Sequence, residues 1–248
     1  MIQFTVINYN IQSGRDARNK YDLEATIAVL KASGADILSL NEVDRHWGQR
    51  SNWEDQVEIL SERLGRENVY APALFLPAEE GNKLPREYGN LLLSKLPIAE
   101  SKTVRMYPGG DSSITYDGTN KTEPRSYITA EISFGQKHIR VICTHLSVHS
   151  QEARLGEISK IEKEIEKTKE PLVLMGDLNT TSDSKELSIL KKYLDDPSEG
   201  RGFITYYPED PRQIDYILTR GLECKNIEVT KSDASDHYSV VAELTLKS

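Results

Sequence analysis

Short runs of apolar residues recur along the chain, and their lengths and polar flanks predict buried β-strands. Further strand-like segments follow one another with hairpin-like connections in place of helices. The predicted strands are FTVINYNI (4–11), ADILSLNEV (35–43), NLLLSKLPI (90–98), RSYITAEISF (125–134), HIRVICTHL (138–146), PLVLMGDLN (171–179), QIDYILT (213–219), KNIEVT (225–230) and HYSVVAELTL (237–246).

Four segments with apolar residues at helical spacing predict α-helices between some of these strands. In the first segment, 22–34, Leu23, Ile27 and Leu30 share one face, and Gly34 follows as a C-terminal cap. The other three segments are 55–65, 152–169 and 182–196. This order of elements predicts an α/β or α+β sandwich of mixed sheets covered by helices. No linker interrupts it, so one domain over residues 1–248 is expected.

Polar residues fall where the apolar runs end, and this placement is the strongest functional signal in the sequence. A single Asp or Asn at such a position is usually a cap or a turn residue. Six strand ends carry them here, which caps alone do not explain, and ligand sites in layered α/β folds gather at strand ends. The residues are Asn8 and Asn10, Asn41 and Glu42, His145, Asp177 and Asn179, Asp215, and Asp236 with His237.

The residue types at these positions predict a metal-assisted reaction on a phosphoester. The side chains here offer hard oxygen donors, which suit Mg²⁺ or Mn²⁺ better than zinc or copper. These donors belong to Glu42, Asp236, Asp177, Asn10 and Asn179. His145 and His237 can contact phosphate oxygens or move a proton, because imidazole titrates near neutral pH.

Composition and charge limit the other possibilities. The formal net charge of −8 disfavours tight nonspecific attraction to a nucleic acid backbone, although it leaves room for a local basic cleft. No apolar run reaches the length of about 18 residues that a membrane-spanning helix needs, so no integral membrane segment is expected. The two cysteines are expected to be free thiols. The start of the chain lacks a signal peptide, which predicts a cytoplasmic protein, or a secreted one if a leader has been removed.

In their order along the chain, the motifs NYNI, LNEVD, YGNLLLSKLPI, THL, GDLN, IDYI and SDH resemble the endonuclease/exonuclease/phosphatase superfamily. This superfamily includes DNase I-like nucleases, inositol polyphosphate 5-phosphatases and neutral sphingomyelinases. The chain looks most like bacterial members of undefined substrate. The resemblance implies a DNase I-like four-layer sandwich, in which two packed mixed β-sheets are flanked by α-helices.

The resemblance also implies a role for each site residue. Glu42 is the expected principal metal ligand, with Asn10 and Asp236 close to the ion. His145 is expected to contact the scissile phosphate, and Asp215 to orient His237. Asp177 and Asn179 are expected to position the attacking water or to bind a second ion, with His237 and Asp177 as joint candidates for the base. Glu87 and Asn90 are further candidates for substrate binding, and Glu87 is a candidate partner of His145. The segment DRHWGQRSNW (44–53) places basic and aromatic residues directly after Glu42, and within it Arg45 is favoured over Trp47 and Arg50 as a substrate contact.

The sequence therefore predicts a Mg²⁺- or Mn²⁺-dependent hydrolase in which water attacks phosphorus. A phosphodiester is the leading substrate class, whether from nucleic acid, a lipid headgroup or a small molecule. A phosphomonoester such as a sugar or inositol phosphate is the alternative, and a non-catalytic binding module with the same fold is a remote one. No obligate protein partner is evident. The long polar segment 106–124 is expected to be a surface loop that borders the binding site.

Overall fold

The computed structural model describes residues 1–247 and contains eleven strands and four α-helices. The strands are β1 Ile2–Asn10, β2 Ile37–Arg45, β3 Glu67–Leu76, β4 Arg86–Ser94, β5 Ile98–Met106, β6 Arg125–Phe134, β7 Lys137–His145, β8 Leu172–Asp177, β9 Asp215–Arg220, β10 Leu222–Thr230 and β11 Ser239–Leu246. The helices are α1 Leu23–Ala32, α2 Gln56–Leu64, α3 Gln151–Lys167 and α4 Lys185–Leu190.

The strands form two mixed sheets, as predicted. Sheet 1 has the order β10-β11-β1-β2-β4-β3, and sheet 2 has the order β5-β6-β7-β8-β9. Each sheet contains one parallel pair, β1 with β2 and β7 with β8, while the remaining neighbours are antiparallel. Each parallel pair is joined by a crossover that carries a long helix, α1 in the first case and α3 in the second.

Alternating side chains divide the core into three apolar layers. In β2, Ile37 packs between the two sheets, whereas the adjacent Leu38 packs outward against α1 and α2. In β8, Val173 likewise lies between the sheets, and Leu174 packs against α3 and α4. The layer order is therefore helices, sheet 1, sheet 2, helices, which is the four-layer sandwich expected from the resemblance.

Three elements differ from the sequence-based expectation. The run NLLLSKLPI is two strands in different sheets, because the chain turns between β4 and β5, where the Ser94 side chain bonds both backbone groups of Leu96. Strand β3 was not predicted individually; it contains Pro72, which is tolerated because β3 is an edge strand with a register shift there. Helix α4 is shorter than the segment 182–196.

Two further expectations can be compared with the structure. Among residues 1–247, no helix is both long enough and apolar enough to cross a membrane. Cys143 and Cys224 are free thiols, as predicted, and burial raises the pKa of Cys143 to about 12.

Gly176 in β8 allows the close approach of β7, and this contact yields a stability prediction. A Cβ atom at Gly176 would lie 2.1 Å from the backbone oxygen of Thr144. We expect Gly176→Ala to lower the free energy of unfolding by about 2–3 kcal/mol, because the backbone of β7 must shift. Urea unfolding followed by circular dichroism measures this change.

Gly156 provides the matched control for that substitution. It lies on the exposed face of α3, with nothing within 4 Å of an added Cβ. Gly156→Ala should raise the free energy of unfolding by up to about 1 kcal/mol, through helix propensity. Equal stability of Gly176→Ala and the unmodified protein would contradict the predicted clash.

Candidate active site

The strand ends that carry polar residues meet at one edge of the sandwich. Within sheet 1, Asn10 at the end of β1 lies opposite Asn41 in the parallel strand β2. Within sheet 2, His145 at the end of β7 lies opposite Asp177, and Asp177 lies opposite Asp215 at the start of the antiparallel strand β9. Parallel strands end at the same edge and an antiparallel neighbour starts there, so pairing alone gathers these side chains.

Asn41 joins the two sheets directly beneath this edge. Its Nδ2 donates to Oδ1 of Asn90 at 2.8 Å and to the backbone oxygen of Thr144 in sheet 2 at 2.9 Å. Its Oδ1 accepts from the backbone N–H of Asp177 at 3.0 Å. Asn90 continues the link by donating to the backbone oxygen of Ser126 at 2.8 Å. These fully buried amides fix the position of Asp177 relative to sheet 1.

Glu42 reaches the cleft because β2 contains a bulge. The register with β4 shifts between Leu40 and Val43, and Glu42 adopts a φ of 60°. A non-glycine residue with positive φ is uncommon, and such strain is concentrated at functional sites. The bulge breaks the alternation of side chains, so Asn41 points between the sheets while Glu42 lines the cleft.

Asp177 is the carboxylate on which the site converges. Its Oδ2 accepts from Nδ2 of Asn10 at 3.1 Å and lies 3.5 Å from Nε2 of His145 and 3.8 Å from Nε2 of His237. Its Oδ1 accepts from the backbone N–H of Asn179 at 2.9 Å. Burial, together with the neighbouring Asp215 carboxylate, raises the pKa of Asp177 to about 7.

His237 is held by Asp215, as the resemblance implies. Nδ1 of His237 donates to Oδ2 of Asp215 at 2.8 Å, which leaves Nε2 directed towards Asp177. Oδ1 of Asp215 accepts from Nδ2 of Asn8 at 3.2 Å. Burial opposes a charged imidazole, but the carboxylates of Asp215 and Asp177 outweigh burial and raise the pKa of His237 to about 10.

The turn before β11 brings Asp236 and His237 to the same cleft. Strand β11 begins at Ser239, so Asp236 and His237 lie before it. Their side chains therefore need not point to opposite faces, as adjacent side chains in a strand do. Ser235 anchors the turn by donating to the backbone oxygen of Asn10 at 2.8 Å and accepting from the backbone N–H of His237 at 3.1 Å. Burial and the nearby Glu42 carboxylate raise the pKa of Asp236, while His237 opposes that rise.

His145 is positioned by Asn179. Nδ2 of Asn179 donates to Nε2 of His145 at 3.1 Å and to the backbone oxygen of Leu146 at 2.9 Å. Burial, and then the positive charges of Arg125 and His237, hold the pKa of His145 well below its usual value. The pKa values of the two histidines that flank Asp177 are therefore shifted in opposite directions.

These side chains form the floor of a cleft of about 390 Å³. Six of the predicted site residues line it, and Asn10 and Asp215 lie behind them as hydrogen-bond partners. The six are Glu42, His145, Asp177, Asn179, Asp236 and His237.

Three predicted substrate-binding residues lie elsewhere. Arg45 donates to Asp55 at 2.7 Å and to Glu87 at 3.4 Å, and neither Arg45 nor Glu87 lines the cleft. Glu87 is therefore not the partner of His145, because strand pairing of β2 with β4 sets it opposite Arg45. Asn90 is buried, and its amide is used in the bridge between the sheets.

Two clusters of aromatic and basic residues also line the cleft. Trp47 and Arg50, with Tyr88, form the first cluster, and Tyr206 with Arg212 forms the second. The basic and aromatic segment after Glu42 indicated the first cluster, although it favoured Arg45 over Arg50, and the sequence did not single out Tyr88, Tyr206 or Arg212. Loop 106–124 borders the cleft, as expected, through Tyr116, Asn120 and Glu123, and Arg125 follows it.

The carboxylates suit a divalent cation. Glu42 and Asp236 both line the cleft, and one oxygen or nitrogen from each of Asp177, Asp215 and His237 lies within 4.8 Å of the others. Burial raises the pKa values of Asp177 and Asp236, and a neighbouring carboxylate adds to each rise, from Asp215 and Glu42 respectively, so a cation would offset part of this negative charge. This set of oxygen donors fits Mg²⁺ or Mn²⁺.

The side chain of Asn10 is not oriented as expected for a metal ligand. Its Nδ2 donates to Oε1 of Glu42 at 3.0 Å and to Oδ2 of Asp177 at 3.1 Å, while its Oδ1 accepts from the backbone N–H of Gln12. The amide presents its nitrogen to the carboxylates and its oxygen to the backbone. In this geometry Asn10 acts as a bridge that spaces the two carboxylates.

Known proteins resemble this chain in sequence and in fold. A protein of Vibrio campbellii described as a UPF0294 protein is 30% identical over 97 residues, which cover 37% of this chain and 33% of that protein. An endonuclease/exonuclease/phosphatase from Beutenbergia cavernae has a TM-score of 0.77 at 23% identity, covering 99% of this chain and 72% of that chain. A mannosyl-6-phosphatase from Bacteroides thetaiotaomicron has a TM-score of 0.69 at 16% identity, and the match covers 98% of this chain and 99% of that chain.

The structural matches show the shared fold, and the sequence match to the family extends over the whole site. The profile of the Endonuclease/Exonuclease/phosphatase family matches residues 7–237, from the end of β1 to the histidine before β11. The chain therefore belongs to the Endonuclease/Exonuclease/phosphatase family.

Proposed function

We propose that the chain is a metal-dependent hydrolase of phosphoesters, in which water attacks phosphorus and a phosphodiester is the leading substrate class. One observation carries the proposal: two buried histidines converge on Asp177 in a cleft that Glu42 and Asp236 also line. A cluster of charged groups with perturbed pKa values in a cleft is typical of a catalytic site.

Glu42 and Asp236 are the proposed principal ligands of a Mg²⁺ or Mn²⁺ ion. Both carboxylates face the cleft, and their mutual repulsion favours cation binding. When bound, the ion offsets the negative charge of the phosphate and lowers the pKa of coordinated water. Asn10 supports this site by holding Glu42 against Asp177.

Asp177 is the proposed group that orients the attacking water and accepts its proton. Its Oδ1 accepts from the backbone N–H of Asn179, and its Oδ2, which accepts from Asn10, lies within 3.8 Å of Nε2 of both histidines. The bridge through Asn41 fixes the backbone of Asp177, which reduces the reorganisation needed to align a water molecule. The side chain of Asn179 donates a hydrogen bond to Nε2 of His145 and so helps to orient the imidazole ring.

His237 is the proposed donor to a non-bridging phosphate oxygen. Asp215 holds Nδ1, so the proton on Nε2 points into the cleft. A charged donor at this point stabilises negative charge that develops on the phosphoryl oxygens during attack. In this scheme His237 is the electrostatic partner and Asp177 the base, which separates the two candidates that the sequence left joint.

The lining of the cleft favours a diester over a monoester. Besides the catalytic floor, the cleft is lined by two clusters of aromatic and basic residues, Trp47 with Arg50 and Tyr206 with Arg212. A phosphate with substituents on two oxygens would use both clusters. A mannosyl-6-phosphatase has a similar fold, so a phosphomonoester is the second candidate for the substrate class.

Hydrolysis should require a divalent cation. With Mg²⁺ or Mn²⁺ supplied, we expect turnover of at least one phosphoester, and we expect EDTA to lower the rate by about 100-fold or more. A screen of DNA, RNA, sphingomyelin-like lipids, nitrophenyl diesters and phosphomonoesters tests this.

Two results would argue against the proposal. Turnover that EDTA leaves unchanged would contradict the metal dependence. No hydrolysis of any ester would favour the non-catalytic binding module.

A further inference from the structure

Arg50 is a cleft residue that the proposed chemistry does not use. It follows β2 and lines the cleft next to Glu42. Its Nε donates to Oδ2 of Asp44 at 2.8 Å and its Nη2 donates to Oδ1 of Asp44 at 2.7 Å. Asp44 is fully buried, and the ion pair raises the pKa of Arg50 despite the cost of burying the guanidinium. Arg50 is therefore a fixed and permanently charged group.

The orientation of the guanidinium is restrained on its faces as well as on one edge. The Cζ atom of Arg50 lies 4.8 Å from the ring centre of Trp47 and 5.3 Å from that of Tyr88. The two rings contact each other at 5.7 Å between centres. Such cation–π contacts and the bidentate pair together leave the side chain little freedom. A preorganised arginine of this kind loses little entropy when it binds a ligand.

One edge of the guanidinium stays available. Asp44 occupies the edge formed by Nε and Nη2, and within residues 1–247 Nη1 donates no hydrogen bond. The second edge, formed by Nη1 and Nη2, matches the two oxygens of a phosphate or carboxylate. The side chain is 33% exposed, although Asp44 is wholly buried, so this edge is the accessible part of the pair.

A second guanidinium on the cleft wall also has unused donor capacity. Arg125 is 3% exposed, lines the cleft, and pairs through Nη1 with Glu123 at 2.6 Å. Its Nε has no hydrogen-bond partner among residues 1–247. That nitrogen is itself buried, so the exposed edge of Arg50 is the donor that an anion in the cleft can reach.

The geometry points to a second anion subsite, in which Arg50, supported by Trp47 and Tyr88, binds a phosphate of the substrate other than the one that is cleaved. The scissile phosphate belongs with Asp177 and His237, whereas the guanidinium of Arg50 is held by Asp44, Trp47 and Tyr88, and no hydrogen bond or ion pair within residues 1–247 joins it to Asp177 or His237. The substrate class is therefore a phosphoester with a second phosphate near the scissile one. This inference rests on the proposed function, because it assigns the substrate of the same cleft.

Two sources could supply the second phosphate: the neighbouring phosphate of an oligonucleotide, or the second phosphate of a small bisphosphorylated molecule. Two substrate pairs distinguish them. The first pair is the p-nitrophenyl ester of thymidine 5′-phosphate with and without a 3′-phosphate. The second pair is the dinucleotide dTpdT with and without a 5′-phosphate. Within each pair the scissile ester is the same, so the ratio of kcat/KM isolates the second phosphate.

We expect the unmodified protein to prefer the doubly phosphorylated member of at least one pair by about 10- to 100-fold in kcat/KM. Arg50→Lys should reduce that ratio by at least about 10-fold, mainly through KM. Lysine keeps a positive charge beside Asp44, but it cannot bind Asp44 at two points and a phosphate at the same time. Arg45→Lys is the matched control, because Arg45 pairs with Asp55 outside the cleft, and it should leave the ratio unchanged.

The outcomes separate the two proposals. If no member of either pair is hydrolysed, the proposed phosphodiesterase is wrong. If both members are hydrolysed equally, or if Arg50→Lys lowers both rates without changing their ratio, the anion subsite is wrong and the hydrolase stands. A preference confined to the dinucleotides supports a nucleic acid substrate, and one confined to the nitrophenyl esters supports a small molecule. If Arg50→Lys does not fold, Asp44→Asn combined with Arg50→Gln removes the buried charge pair and permits the same measurement.

Discussion

Replacing Glu42 with Gln is expected to lower kcat/KM on the best phosphoester substrate by about 1000-fold or more. The substitution removes the negative charge that the proposed metal requires but keeps the size of the side chain. Oε1 of Gln can still accept from Nδ2 of Asn10, which it does at 3.0 Å in the native residue. The loss should therefore affect catalysis and metal affinity, as measured by initial rates over a range of Mn²⁺ concentrations.

The folded state of the Glu42→Gln variant should be at least as stable as that of the unmodified protein. Removing one carboxylate relieves repulsion with Asp236, whose pKa is raised in part by Glu42. Glu131→Gln is the matched control: Glu131 pairs with Arg140 at 3.2 Å on β6 and β7, outside the cleft, and its loss should leave the rate unchanged. A Glu42→Gln variant that keeps a tenth of the native kcat/KM would contradict the metal assignment.

Replacing His237 with Gln is expected to lower kcat by about 100- to 1000-fold, the usual loss when one preorganised donor to developing negative charge is removed. Gln retains an N–H donor for Asp215, which is fully buried and would otherwise lose its main partner. His237→Ala is a poorer test, because leaving Asp215 unpaired should destabilise the fold by about 3–5 kcal/mol. His138→Gln is the control, since His138 lies on β7 beside Glu131 and away from the cleft.

A pH profile tests the role assigned to Asp215. The pKa of His237 is raised to about 10, so its imidazolium is present below that pH and is lost as the pH rises through it. Asp215→Asn removes the nearest carboxylate, which lowers the pKa of His237. The alkaline limb of the kcat/KM profile should then move to lower pH. An unchanged alkaline limb in a folded variant would show that His237 does not act as a charged donor.

The fold was predictable because it depends on local patterns. Strands of apolar residues bury their side chains only when sheets stack on each other. Helices with one apolar face bury that face only when they cover a sheet. The pattern of apolar runs did not predict the strands correctly where a turn or a proline interrupted a run. The run across β4 and β5 continued through a change of sheet, and Pro72 concealed the edge strand β3. The sheet that each of these strands joins is set by pairing with strands distant in the sequence, which the local pattern does not contain.

The floor of the cleft was predictable for a related reason. A charged or amide side chain at the end of a buried strand is costly unless it has partners, and strand ends of a mixed sheet meet at common edges. Asp177, His145 and His237 lie together because β7, β8 and β9 pair in register and the turn before β11 joins them. Their individual protonation states depended on burial and on neighbouring charges, which only the folded chain supplies.

Which basic residue of the segment after Glu42 lines the cleft depended on tertiary structure. Arg45 and Arg50 lie five residues apart in one basic segment, and the sequence favoured Arg45. In the folded chain, pairing of β2 with β4 places Arg45 against Glu87, while the buried carboxylate of Asp44 turns Arg50 into the cleft.

The sequence by itself determined the layers of the sandwich and the residues at the catalytic edge, because hydrophobic periodicity and strand-end polarity are local properties. Tertiary structure alone decided that Asn41 bridges the sheets, that Asn10 turns its nitrogen to Glu42, and that Arg50 faces the cleft. The direction of a polar side chain is set by whichever donor or acceptor lies nearest after folding. For these three residues that partner or cavity is built largely from chain segments distant in the sequence.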